Sequence, residues 1–352
     1  MTAVSIEWKS LPASDLGVNE GLRADWNRLN AARSDLPFLG AEAIATAIAV
    51  FGQGGERLLI GRQADQVVAM LVASKAGRFR WQTFQPAQIP LGAWVAAPGP
   101  TLEALSNSLN RAGFGFCVTF SVTQIDPMFA PRMPDAANTR TADYIETGWV
   151  DIAGSFDDFW SARGKNLRQN MRKQRNKLET EGISGRMRKF TSPEDMAPAI
   201  ARYGVLESAG WKAASGTAIH PDNDQGRFYT RLMQDAASRG EAFVYEYLFD
   251  DRVVAVNLCL GRGQTITILK TTYDESTHPF SPAFLLLQDV LEEIYGEGRW
   301  KRVEFYGRMM EWHTRWTDQK RSLYHLTCYR WPFLKQLAAR KRKEDHGDSE
   351  PA

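Results

Sequence analysis

At 352 residues, with 43% hydrophobic and 24% charged side chains, the chain is long enough for two cores and too apolar to be disordered throughout. Lys and Arg total 43 against 41 acidic residues, a net charge of +2 that excludes a wholesale attraction to polyanions, so any cationic function must be local. Residues 1–13 carry Glu7 and Lys9 and no continuous apolar run, which reads as neither signal peptide nor spanning helix and sets the expectation of a cytoplasmic protein.

In chain order the periodicity predicts a strand at 4–9, helices at 22–32 and 41–51, and apolar runs at 57–61, 66–74 and 78–84, spaced by turn residues as an antiparallel meander requires. Residues 101–111 have the helical period, Gly113 and Gly115 break it, and 116–122 resume as a buried strand. Pro127, Pro131 and Pro134 mark a linker. The order then repeats: a strand at 148–152, helices at 156–160 and 166–181, a strand at 183–190 and a helix at 193–208. A second meander at 241–249, 253–261 and 265–272 turns at Asp250-Asp251 and Arg262-Gly263, and Ser281-Pro282 opens a helix that gives way to a strand at 302–306. The expected fold class is α/β (α+β), two tandem lobes at 1–140 and 141–335, each a mixed, mainly antiparallel sheet flanked by helices, with 336–352 a disordered tail, basic and then acidic.

Cys117, Cys259 and Cys328 sit in separate apolar runs and read as reduced core residues. His220, His278, His313, His325 and His346 have no metal-ligand spacing, so no metal is expected, and both the Walker pattern and the dinucleotide glycine fingerprint are absent. The densest charge run spans 163–177. Leu167, Met171 and Leu178 form one helical stripe there and Lys165, Arg168 and Arg172 another, which reads either as a solvated face or as an anion site for cofactor phosphates. The segment Gly210-Trp211-Lys212-Ala213-Ala214-Ser215-Gly216-Thr217-Ala218-Ile219 is too rich for a minimal connector and reads as a functional loop or a Trp-anchored one. The helix start at Ser281-Pro282-Ala283 presents free backbone N–H groups suited to phosphate.

Gly210-Trp211-Lys212, Gly216-Thr217-Ala218-Ile219, Phe228-Tyr229, Lys270-Thr271-Thr272-Tyr273-Asp274 and Ser281-Pro282 together resemble the CelD/BcsL-like acetyltransferase family of the GNAT superfamily, chiefly over residues 160–316. The family is similar to the Fem aminoacyltransferases in having tandem GNAT-like lobes and is linked to exopolysaccharide and holdfast synthesis. The resemblance implies an N-acyltransferase with acetyl-CoA or another acyl-CoA as donor, no metal, and a sugar or glycan amine as acceptor. It further implies Asp274 or His313 as base, Lys270 and Tyr273 as orienting groups, Trp211, Lys212, Thr217 and Tyr229 at the acceptor, and Lys165, Arg168, Arg172, Ser281 and Ala283 at the donor. The chain departs from the family's pattern at Ala283, where Gly is usual, and at Trp312-His313, where Tyr-Lys is usual. Two other readings stay open: a non-catalytic regulatory protein and a Fem-like enzyme using charged tRNA. The aromatic and basic stretch 329–343 suits a membrane surface or a cyclic dinucleotide, and no DNA partner is expected.

Overall fold

Short β-branched and aromatic runs punctuated by glycine build the first part of the chain into strands. In order come β1 (Glu7–Pro12), α1 (Asp15–Val18), α2 (Glu20–Arg33), α3 (Ala41–Phe51), β2 (Arg57–Gln63), β3 (Gln66–Gly77), β4 (Arg80–Thr83), β5 (Trp94–Ala96), α4 (Leu102–Leu109) and β6 (Thr119–Ile125). A long strand, β7 (Thr139–Asp151), then leads to α5 (Phe156–Ser161), α6 (Lys165–Thr180), β8 (Gly185–Phe190), α7 (Pro193–Ala209), α8 (Asp224–Ala237), β9 (Ala242–Phe249), β10 (Arg252–Arg262), β11 (Thr265–Tyr273), α9 (Pro282–Glu297), β12 (Arg302–Glu304), α10 (Glu311–Thr314), β13 (Lys320–Tyr329) and α11 (Pro332–Gly347). The computed structural model describes residues 6–98, 102–109, 112–113, 115–209 and 219–347.

The chain divides into two units, Met1–Ile145 with Ser322–Ala352, and Glu146–Arg321. The last strand and helix therefore belong with the first unit: β13 pairs antiparallel with β6, Tyr329 opposite Thr119. The expected disordered tail is helical as far as Gly347, because Pro332 sits at the first helical position and Leu334, Leu337, Ala338 and Ala339 are helix formers. In the first unit the strand order is β1-β2-β3-β4-β6-β13, with β5 on β3, over a core of Leu59, Leu71, Trp81, Trp94, Phe120 and Leu326.

In the second unit the order is β12-β11-β10-β9-β8, with the end of β7 on β12. The β9–β10 turn is closed by Asp250 at φ 53° and the β10–β11 turn by Gly263 at φ 57°, left-handed conformations that Asp and Gly tolerate. These turns fix a mainly antiparallel meander, as the sequence predicts. Apolar residues of α9 (Leu285, Leu286, Val290, Leu291, Ile294) and the Leu167–Met171–Leu178 stripe of α6 cover the sheet, each fully buried side chain contributing about 1.5–3 kcal/mol. Cys117, Cys259 and Cys328 are buried and form no disulfide, and burial pushes the Cys117 thiol up to about 11.

A buried charge fixes α7 against this sheet. Glu246 on β9 has no exposed surface and is held by Arg188 of β8 at 2.6 Å and Arg202 of α7 at 2.7 Å. Removing the carboxylate leaves two guanidinium groups facing each other. Since each keeps about a third of its surface in water, Glu246→Gln should cost about 1–3 kcal/mol, less than a fully buried pair, which urea unfolding will measure.

Candidate functional site

β11 and β12 run parallel, but they pair only through Thr265–Thr267 and Arg302–Glu304 and then part. Just beyond, Leu269 is an extra residue on β11: Leu258 of β10 faces Lys270 while its neighbour Cys259 faces Ile268. A bulge of this kind re-aims the side chains after it. Beyond the bulge, in the same unit, lies a cavity of about 330 Å³ walled by β11, α9, α7 and the α10 region. Thr271, Thr272 and Tyr273 line it from β11, Ser281 to Phe284 from the start of α9, Leu206 and Glu207 from α7, and Asn257, Trp312 and Trp316 complete the wall.

The α9 end of the cavity offers donors. Ser281 adopts φ 51°, ψ 51°, makes no side-chain cap, and is followed by Pro282 at the first helical position. Phe284 N and Leu285 N already bond to Ser281 O at 3.0 and 3.2 Å, so Ala283 N–H is the group at this helix start positioned to meet a ligand. The buried indole nitrogen of Trp316 has no acceptor among the described residues and belongs to the same wall.

The α7 side carries a buried carboxylate. Glu207 is 2% exposed; its Oε1 accepts from Lys270 Nζ at 3.1 Å and from Tyr203 OH at 3.4 Å, and its Oε2 from Ile219 N at 2.8 Å. The same Tyr203 hydroxyl proton is shared with Thr271 O at 3.2 Å, tying α7 to β11 beside the cavity. Lys270 Nζ lies 5.4 Å from the Tyr229 ring centroid and 5.8 Å from that of Tyr203. Burial, then the Glu207 charge, pushes both phenols above their ordinary range, so both stay protonated. The other carboxylate lining the cavity, Glu275, is exposed.

Of the residues the sequence singles out, Tyr273, Ser281 and Ala283 line the cavity, and Lys270 and Tyr229 form the cluster behind Glu207. Trp211, Lys212 and Thr217 lie outside the described residues. Asp274 does not line the cavity, and so does not fit the role of base there. It caps the helical turn at Glu275–Phe280, accepts from Ser276 N at 3.0 Å and Ser276 Oγ at 2.7 Å, and forms an ion pair with Arg252. His313 fails for a different reason: its Nδ1 accepts from Met310 N at 2.9 Å, Trp312 stacks on it at 3.5 Å, and burial lowers it to about 4. Lys165, Arg168 and Arg172 occupy the exposed face of α6 and none lines the cavity, because the Leu167–Met171–Gln174–Leu178 stripe is the face that packs.

Sequence reasoning missed Glu207. A signal was present: Met196, Ile200, Tyr203 and Glu207 follow 4-3-4 spacing, placing a carboxylate on the buried stripe of α7. Asn257, amid the apolar run of β10, carries the same kind of signal.

The first unit repeats the parting of parallel strands and closes it. β4 pairs with β6 only through Arg80–Gln82 and Thr119–Ser121, but the chain after β4 turns back to lay β5 on β3. A Cβ on Gly92 would lie 2.5 Å from Thr123 O and 2.7 Å from Thr83 Oγ1, and those two threonines bond to each other at 2.6 Å. The chain itself thus occupies what is a cavity in the second unit.

Comparison with known proteins agrees with this geometry. The family model described as an acetyltransferase (GNAT) domain matches residues 165–314, nearly all of the second unit. No curated protein matches the sequence. Similar solved structures include L-PGS from Bacillus licheniformis (15% identity, TM-score 0.51, covering 89% of this chain and 96% of that one) and FemX (8%, TM-score 0.51, covering 80% and 90%). A tandem GNAT protein from the clavulanic acid biosynthesis pathway is another (14%, TM-score 0.50, covering 92% and 98%). The fold is GNAT-like, and the second unit is a GNAT-type acyltransferase domain.

His313 generates a pH prediction. Its folded value near 4 lies below the ordinary 6.5, so the unfolded chain binds the extra proton between those values; this share of stability is complete above about 6.5 and is lost as pH falls toward 4. His313→Gln keeps an acceptor for Met310 N, and its unfolding free energy should fall less steeply over that window than that of the unmodified chain.

Proposed function

We propose that the second unit transfers an acyl group from acyl-CoA to a primary amine, with Glu207 as the group that receives the amine proton. The observation that carries this reading is the meeting of a buried carboxylate, a strand edge released from its partner and an uncapped helix start around one cavity. A released edge offers N–H and C=O groups to an extended ligand such as a pantetheine arm, and the start of α9 suits a phosphate. Ala283 carries a methyl group where the resembling family has Gly, yet its N–H still faces outward from the first turn, so the residues fit such a donor.

Bound there, the donor would supply a thioester-activated carbonyl. The chain's own groups do the rest. Asn257 and the aromatic wall of Tyr273, Trp312 and Trp316 orient a compact acceptor and exclude water. The amine nitrogen bonds to the carbonyl carbon as the carbon–sulfur bond breaks and its electron pair leaves with the sulfur as the coenzyme A thiolate; the amine proton passes to Glu207, directly or through a water, and the Trp316 N–H is a donor for developing negative charge. Lys270 holds the carboxylate in place through their ion pair until the amine arrives. An aromatic wall beside a carboxylate also suits an amino sugar, which agrees with the CelD/BcsL-like resemblance and with an amino group of a glycan intermediate in exopolysaccharide or holdfast synthesis as acceptor.

Calorimetric titration with acetyl-CoA and free CoA tests the donor. The unmodified protein should bind both, Ala283→Asp should abolish binding by placing a carboxylate at the phosphate end, and Arg168→Ala should leave it within about twofold. Glu207→Gln should retain donor binding while lowering kcat on an amino-sugar acceptor by about 10²-fold or more. No binding of either compound would move the assignment to a donor carried on tRNA, the type for which the exposed cationic face of α6 would provide the contact.

A further inference from the structure

The register of the first unit brings three sequence-distant points together. Arg80 lies opposite Thr119, and Thr119 opposite Tyr329; Val118 N donates to Phe79 O at 2.8 Å, and Arg330 N to Val118 O at 2.9 Å. At this end of the sheet Phe79 meets Phe116 edge-on at 5.3 Å, Phe116 meets Trp331 at 6.3 Å, and Trp331 stacks with Phe333 at 6.0 Å. All four rings are exposed, between 40% and 54%, and Leu337, one turn beyond Phe333 on α11, is exposed by 53%. These five make up half of the ten exposed large hydrophobic residues among the described residues, so the clustering is not the ordinary scatter of surface apolar groups.

Cations frame the rings. The Arg78 guanidinium lies 5.0 Å from the Phe79 centroid, and that of Arg330 lies 5.3 Å from both Phe116 and Trp331. Arg340, two turns along α11 from Phe333, is exposed, and the sequence continues Lys341-Arg342-Lys343. Among the described residues no helix is long and apolar enough to cross a membrane.

We propose that this aromatic and arginine patch docks the first unit on the surface of an anionic lipid bilayer, with Trp331, Phe333, Phe116 and Leu337 entering the headgroup boundary and Arg78 and Arg340 meeting lipid phosphates. Exposed aromatic rings beside clustered cations are the composition of interfacial anchors. The same charges argue against a second copy of the chain as occupant, because self-association would bring arginines of both copies together.

Sedimentation of the full chain with vesicles tests this. The protein should pellet with vesicles of phosphatidylcholine containing phosphatidylglycerol and remain in solution with phosphatidylcholine alone. The pair Trp331→Ser and Phe333→Ser should weaken partitioning roughly tenfold or more, and the pair Arg78→Glu and Arg340→Glu by at least roughly fivefold per charge removed. Because these side chains are exposed, circular dichroism and melting of both variants should match the unmodified protein. Equal binding to neutral vesicles, no binding, or binding unchanged in both variants overturns the proposal. So does a concentration-dependent dimer that the aromatic pair abolishes without vesicle binding, or capture of a free cyclic dinucleotide in place of vesicles.

Discussion

The parting of β11 from β12 after three paired residues is the constraint on which the site depends. A parallel pair that separates leaves an open strand edge and a wedge of space, and both must be filled by side chains, backbone or ligand. In the second unit the bulge at Leu269, the left-handed Ser281 and the aromatic residues around α10 surround that wedge without filling it. In the first unit Gly92 lets the chain pack against the Thr83–Thr123 bridge, so the corresponding space is closed by main chain. One topology thus has two fates, and the difference lies in the segment that leaves the central strand: a helix entered through Ser281-Pro282, or an extended return as β5.

Electrostatics keep the open wedge in shape. Glu246, clamped between Arg188 and Arg202, fixes α7 over the sheet, and Tyr203 and Glu207 on that helix reach β11 through Thr271 O and Lys270. A carboxylate as buried as Glu207 is tolerated because a lysine, a phenol and a backbone N–H satisfy it. The bond from Ile219 N also ties the chain just before α8 to the same carboxylate that faces the cavity.

Much of the second unit was legible because its signals are local. The turns at Asp250-Asp251 and Arg262-Gly263 and the start at Ser281-Pro282 need only neighbouring residues, and Tyr273, Ser281 and Ala283 line the cavity. The misassigned residues fail for non-local reasons. Asp274 has the right chemistry, but it sits outside the cavity wall, where it caps the turn that follows β11 and pairs with Arg252; His313 has the right type, but burial against Trp312 and Phe305 depresses it. Lys165, Arg168 and Arg172 form a genuine stripe, yet it is the apolar stripe that turns inward. The aromatic patch of the first unit was legible only at Trp331 and Phe333, since Phe79 and Phe116 reach it through sheet register, which local patterning does not encode.

Hydrogen exchange with and without acetyl-CoA tests the central claim most directly. If the open wedge of the second unit is the donor site, acetyl-CoA should slow exchange in β11 from Ile268 to Tyr273 and in the first turn of α9, and leave residues 84–96 of the first unit unchanged. Protection confined to the first unit, or donor binding that leaves β11 and α9 unprotected, would contradict the account.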